Sequence, residues 1–296
     1  MEKKQVGRYL FWAFLLAWLL QGVAIYFARQ GQLIGFQMVL ALSMYAPFAA
    51  VLLAGIPLRG MGWRPRLKGK FRWFLAAWLG SAVLMVLGAA LYFLVFPASL
   101  DLSGSTLLGT MEEAAQEQAL AQLEASGMSL RTLVLIQVLG SLLWAPFVNT
   151  FLALGEEVGW RGALYPRLKA RFGPRAGLLL GGAIWGIWHW PVMILAGYNY
   201  GTQYLGAPLL GPLLFCVVTV AVGTLIDLLY EKTACIWIPA LAHGAFNATA
   251  AVPTIFLAPA YASQTILGPT MIGAIGGLPM LALGFWLVLR RGAEKA

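Results

Sequence analysis

The sequence predicts an all-α, polytopic membrane protein of about eight transmembrane helices. Three observations carry this prediction. Of the 296 residues, 60% are hydrophobic and only 10% are charged, whereas a soluble globular domain is roughly half apolar. Apolar windows of about 20 residues, the length that crosses a bilayer as a helix, recur along the whole chain. The cations are confined almost entirely to alternate connections between those windows. Barrel strands are excluded, because they would alternate in polarity over about ten residues rather than run unbroken. With no internal repeat and no long linker, residues 1–296 read as a single integral membrane domain.

The spans follow in order. The first, 9–28, has Lys3, Lys4 and Arg8 before it and is longer than the apolar region of a signal peptide, so it reads as a retained anchor. Between span two (34–57) and span three (72–96) lie Arg59, Arg64, Arg66, Lys68, Lys70 and Arg72. The next connection contains TMEEAAQEQALAQLEASG, with Glu112, Glu113, Glu117 and Glu124 among good helix formers, and is expected to be a solvated surface helix. Span four (132–155) leads into a basic connection with Arg161, Arg167, Lys169, Arg171 and Arg175. Spans five (176–195) and six (208–229) come next; Asp227, Glu231 and Lys232 read as an interfacial turn. Spans seven (235–256) and eight (269–289) complete the set, and Arg290, Arg291 and Lys295 follow.

This order leaves only Arg29 and Arg131 on the side opposite the other cations. The positive-inside rule then puts both termini in the cytoplasm, in a multi-pass protein of the cell membrane. A net charge of +9 is explained by the membrane surface, with no nucleic acid as partner. Cys216 and Cys235 fall in or beside spans and suggest neither a disulfide framework nor a cysteine metal site.

Ionisable groups at membrane depth are costly, which makes each a functional candidate. NTFLALGEEVGWRGA places Glu156, Glu157 and Arg161 at the end of span four. Both histidines of the chain are in spans, His189 in GAIWGIWHWPVM and His243 in PALAHGAFNATA, where Asn247 follows. The spacings are helical: His243 and Asn247, Trp185 and His189, and Glu157 and Arg161 are each four apart, on shared faces. Glu157 and Arg161 are expected to pair, which frees Glu156 to point elsewhere. Gly155, Gly159 and Gly162 would let neighbouring helices approach that turn closely. Taken singly, each group has a structural explanation: a histidine bonding a backbone carbonyl, or an asparagine holding two helices together. Taken together they are nearly all the polar chemistry inside the spans.

A partly desolvated carboxylate and an imidazole can share the deprotonation of water. A second imidazole and an amide NH₂ on one helical face offer donors to an anionic tetrahedral intermediate. Glu156 with His189 thus reads as a water-activating pair facing an oxyanion pair, His243 with Asn247, for amide hydrolysis without a cofactor. Zinc is an alternative on nearly the same residues, although no His-x-x-x-His pair is present. Ion or proton transport is a third reading, for which matching broken helices are missing.

These segments resemble a known family. EEVGWR resembles the EExxxR motif of the CPBP intramembrane endopeptidases, which include the type II CAAX prenyl proteases and bacteriocin-related membrane proteins. WGIWH resembles the family's FxxxH motif and HGAFN its HxxxN motif, within roughly residues 130–256, the expected catalytic core. The resemblance implies Glu156 as general base, His189 as its partner on the water, and His243 and Asn247 as the oxyanion hole. It implies a supporting role for Glu157 and Arg161, and an eight-helix core with a cavity open to the cytoplasmic side. Trp185 stands where the family usually has Phe and keeps an aromatic wall. The implied substrate is a membrane-associated peptide or protein. A non-catalytic scaffold or bacteriocin-immunity role remains the alternative from another class. For the motifs to meet, the helices must tilt, kink near Pro146, or start span five later, after Pro174.

Overall fold

The apolar windows fold into helices of very different lengths, because proline and glycine interrupt some of them. The computed structural model describes residues 2–65, 68–109, 113–263 and 265–291. Arg66, Glu112 and Lys295, counted above among the charged residues, lie outside them. The helices are α1 (Glu2–Arg29), α2 (Leu33–Ser43), α3 (Ala46–Leu53), α4 (Phe71–Val95), α5 (Thr106–Gly109), α6 (Glu113–Ala125) and α7 (Leu130–Leu143). They continue with α8 (Ala145–Glu157), a π-helical segment Val158–Leu164, and α9 (Tyr165–Phe172). Then follow α10 (Pro174–Trp188), α11 (Trp190–Ala196), α12 (Leu210–Thr233), α13 (Trp237–Thr249) and α14 (Leu278–Arg290). No strand forms among the described residues.

Among the described residues, five helical segments are long and apolar enough to cross a membrane: Lys4–Arg29, Leu33–Leu53, Phe71–Val95, Pro174–Ala196 and Leu210–Thr233. Gln116–Ala125 and Leu130–Leu143 together form a further segment bent by 92°, and Leu278–Arg290 is a shorter apolar helix. Large apolar side chains such as Leu19, Ile34 and Leu94 are exposed on the outside of the bundle, as expected of surface that faces lipid. The protein is a helical membrane protein.

Span four is where the structure departs furthest from the sequence reading. Instead of one helix over 132–155, α7 stops at Leu143, Trp144 leaves helical geometry at φ −121°, and α8 restarts with Pro146 in its first turn. Proline suits that position because its missing N–H is one that a helix start leaves unpaired. From Ala145 the helical path then runs through α8, the π segment and α9 to Phe172. Glu156, Glu157 and Arg161 therefore lie in the middle of a helical run and are buried, not at a span end. A second correction concerns Asp227, read above as part of an interfacial turn. It is fully buried in α12 and paired with Lys169 at 2.7 Å.

One end of the bundle is ionic. Lys169 bridges Asp227 and Glu231, Arg291 also pairs with Glu231, and Lys70 donates to the Thr233 carbonyl. The loops at the other end knit together through the Leu100–Leu257 bridge and the Tyr200 hydroxyl, which donates to Ile272.

Small residues set how close the central helices come. Gly155 and Gly159 pack against Tyr45 and Pro47, as their spacing suggested. Gly244 of α13 lies on the backbone of α8: a Cβ there would stand 2.6 Å from the Thr150 nitrogen and 2.8 Å from the Pro146 oxygen. Backbone cannot yield as a side-chain tip can, so Gly244→Ala is expected to cost about 1–3 kcal/mol. Thermal unfolding in detergent checks this, and an unchanged midpoint would show that α8 and α13 are not pressed together.

Candidate active site

The turn at Gly173 brings the first two motifs to one level. Glu156 lies seventeen residues before it and His189 sixteen after it. At about 1.5 Å per residue, both stand roughly 24 Å from the turn on neighbouring helices. The new helix start beside Pro146 provides this match, one of the routes the sequence left open, whereas α10 starts at Pro174, no later than the span placed from 176. α13 packs along α8 and delivers His243 and Asn247.

The π segment follows Glu157 directly, and insertions of this kind are frequent at functional sites. Within it, two neighbouring carboxylates each find a partner four residues on. Glu157 Oε1 accepts from Arg161 at 2.8 Å, both side chains being fully buried. Glu156 Oε2 accepts the indole N–H of Trp160 at 3.0 Å. The expected ion pair is present, and Glu156 does point elsewhere. It does not contact His189 directly through a hydrogen bond among the described residues. A second indole, Trp185 of α10, donates to the same Glu156 oxygen at 2.7 Å. Trp185 thus does more than keep an aromatic wall, because phenylalanine at that position has no N–H to offer.

The histidines are oriented by what their Nδ1 atoms touch. His189 Nδ1 lies 2.9 Å from the Trp185 carbonyl oxygen, and His243 Nδ1 lies 2.8 Å from Glu157 Oε1. Neither oxygen can donate, so each Nδ1 carries the proton. Nε2 is left as the remaining ring nitrogen in both. Arg161 shares Glu157 Oε1 with His243, donates to the Gly223 carbonyl, and stacks its guanidinium 4.7 Å from the Tyr165 and Trp185 ring centroids. The Asn247 side chain makes no hydrogen bond among the described residues and is exposed to the cavity.

Glu156, Trp185, His189, His243 and Asn247 all line one cavity of about 400 Å³. Glu157 and Arg161 sit behind its wall. Further polar lining comes from Gln37, Asn149, Asn199 and Thr219, none of which the sequence singled out. Among the described residues no three His, Cys, Asp or Glu side chains are grouped to hold a metal ion.

The chain's sequence matches a family model over residues 136–249, that of the Type II CAAX prenyl endopeptidase Rce1-like proteins. This bears out the resemblance drawn from the three motifs, all of which fall inside the matched residues. The matched stretch runs from within α7 to the end of α13 and accounts for less than half of the 296 residues. It is a protease family by its description. No curated protein matches the chain. The cavity is not walled by the matched residues alone: Phe36, Gln37, Leu40 and Met44 of α2 and its following turn close one side.

Trp160 and Trp185 are the site residues that sequence reasoning missed as carboxylate partners. For Trp160 the signal was available, since it stands four residues after Glu156 just as Arg161 stands four after Glu157. For Trp185 the partner is on another helix, and no spacing reveals it.

Proposed function

We propose that the protein is an intramembrane endopeptidase that hydrolyses a peptide bond of a membrane-associated protein or peptide. The observation that carries this is the convergence of Glu156, His189, His243 and Asn247, from three helical runs, on one cavity at matched depth. In this reading water is held between Glu156 and His189 Nε2. Its oxygen attacks the scissile carbonyl carbon and Glu156 takes its proton. The oxyanion is met by the Asn247 amide and by the His243 ring, which Glu157 orients through Nδ1. Collapse expels the amine, which recovers the proton from Glu156. The aromatic and aliphatic lining, including Phe36, Phe215 and Phe246, suits an apolar substrate segment.

The reading needs no metal. One observation favours the zinc alternative: each histidine turns Nδ1 to an oxygen and leaves Nε2 for the cavity, as metal-bound histidines do. Purified protein in detergent or liposomes, given membrane peptides with a chelator present, distinguishes the two. Cleavage is expected to survive the chelator and to be lost in His243→Ala. Abolition by chelator with rescue by zinc would overturn the metal-free mechanism. Full cellular function in His243→Ala would favour a non-catalytic scaffold.

In this reading the eight spans would be α1, α2 with α3, α4, α7 with α8 and α9, α10 with α11, α12, α13 and α14. The positive-inside rule puts the ionic end, with both termini, in the cytoplasm. Towards that end the site is floored by the buried Trp160, Arg161 and Tyr165, while the cavity walls run to Tyr198, Asn199 and Ile272 near the opposite end. These walls favour access from within the bilayer or from the outer side over the cytoplasmic mouth that the resemblance implies.

A further inference from the structure

Helices α10 and α11 would be one helix but for a break at the residue that carries the second motif. His189 caps α10 and opens α11 with φ −88° and ψ −9°, against about −63° and −42° in a regular α-helix. Pro191, in the first turn of α11, removes one backbone donor. In an unbroken helix the Val192 N–H would bond the Trp188 carbonyl, and that bond is not made here. The side chain of Gln21 fills its place. Gln21 Nε2 donates to the Trp188 oxygen at 2.9 Å, and the Val192 N–H donates to Gln21 Oε1 at 3.3 Å. A single amide is inserted into the helix ladder, one of the recognised causes of a helix kink.

Gln21 belongs to α1, far outside the matched residues 136–249, and its side chain is fully buried in an apolar helix. Burying an amide there is unfavourable unless it is bonded, and both of its bonds go to the backbone flanking His189. Neighbouring side chains fasten the same point: Trp18 donates to the Trp188 oxygen, and the Trp188 indole donates to Ala13 of α1. His189 lies between these two residues in the chain, and its imidazole contacts the Trp188 ring at a centroid distance of 4.7 Å.

We infer that Gln21 is a positioning residue for His189: its amide holds the helix open there and so fixes the direction in which the imidazole enters the cavity. Pro191 makes the break, and Gln21 keeps it in one geometry. With the amide gone, the Trp188 carbonyl and the Val192 N–H are free to close on each other, which turns the His189 backbone towards helical ψ and swings the ring. This rests on the reading of His189 as a member of the water-activating pair, but the geometry it predicts at His189 is measurable without any substrate.

The chain has two histidines, so ¹⁵N-histidine labelling gives two imidazole spin systems, assigned with His189→Ala. In Gln21→Met, which keeps the side-chain volume and removes the amide, the His189 nitrogen shifts and titration are expected to move while those of His243 stay. In the cleavage assay the same variant is expected to lose on the order of tenfold to a hundredfold in kcat with little change in KM, the size of effect that small misplacements produce. Gln21→Glu is the conservative control: a neutral acid, the form burial favours, offers the same donor and acceptor. It is expected to keep the His189 signals and most of kcat. A Gln21→Met protein with wild-type His189 signals and kcat overturns the inference. So does a folded Gln21→Glu protein in which the His189 signals have moved as far as in Gln21→Met. If Gln21→Met does not fold, the truncation Gln21→Ala takes its place in the comparison. Should wild type cleave nothing while the His189 shift in Gln21→Met is selective, the positioning role stands and the protease reading falls.

Discussion

Replacing Glu156 by glutamine is expected to lower peptide cleavage by about 10²- to 10⁴-fold, the range that general acid–base catalysis contributes. The variant separates chemistry from packing, because the structure shows what glutamine keeps. The wild-type Oε2 accepts from two indoles, Trp160 and Trp185. A glutamine Oε1 can accept from the same two, so the aromatic cage around it closes as before. Only the capacity to take a proton from water is lost. Thermal unfolding of Glu156→Gln is accordingly expected to lie close to wild type while turnover with a membrane peptide collapses. A variant that keeps its turnover would remove Glu156 from the role of base. One that unfolds would show that the carboxylate's charge holds the cage.

The neighbouring carboxylate predicts the opposite pattern. Arg161→Ala is expected to destabilise the protein by about 3–5 kcal/mol, because it strands a buried charge on Glu157. Both partners are fully buried, and the guanidinium also ties α12 through Gly223 and stacks on Tyr165 and Trp185. Loss of folded protein should therefore precede any specific loss of turnover. Combining Arg161→Met with Glu157→Gln leaves no stranded charge and should recover part of the stability, which a double-mutant cycle on the unfolding midpoints would measure. Recovery is expected to be partial, since His243 still loses the carboxylate that holds its Nδ1. Additive effects of the two substitutions would show that the pair is not coupled. The two adjacent glutamates thus make separable predictions: activity without stability for Glu156, stability first for Glu157 and Arg161.

Helical class, membrane residence and the candidate residues were legible in the sequence. Each depends on composition or on spacing along one helix, and those are local properties. Hydrophobicity of 60% forces burial in lipid or core whatever the topology, and a spacing of four puts two side chains on one helical face whatever packs against it. The Glu157–Arg161 pair and the shared faces of Trp185 with His189 and of His243 with Asn247 came from that rule. So did the close approach at Gly155 and Gly159.

What the tertiary structure decided is where those faces lie and who meets whom across helices. The break at Trp144 moved Glu156 from the end of a span to the middle of the helical run from Ala145 to Phe172. No hydropathy window could reveal this, because Trp144 is as apolar as its neighbours and the basic residues after Arg161 look like a helix exit. Lys169 reaching buried Asp227 across 58 positions is invisible for the same reason. Gln21 is the sharpest case. A search for ionisable groups in the spans passes over a neutral amide, and nothing near Gln21 in the chain indicates that its two bonds end beside His189. The sequence by itself determined which chemical groups are available inside the membrane. Only the packing of α1, α8, α10 and α13 decided which of them share a cavity, because contact between helices depends on depth and rotation, and neither is encoded in any one helix alone.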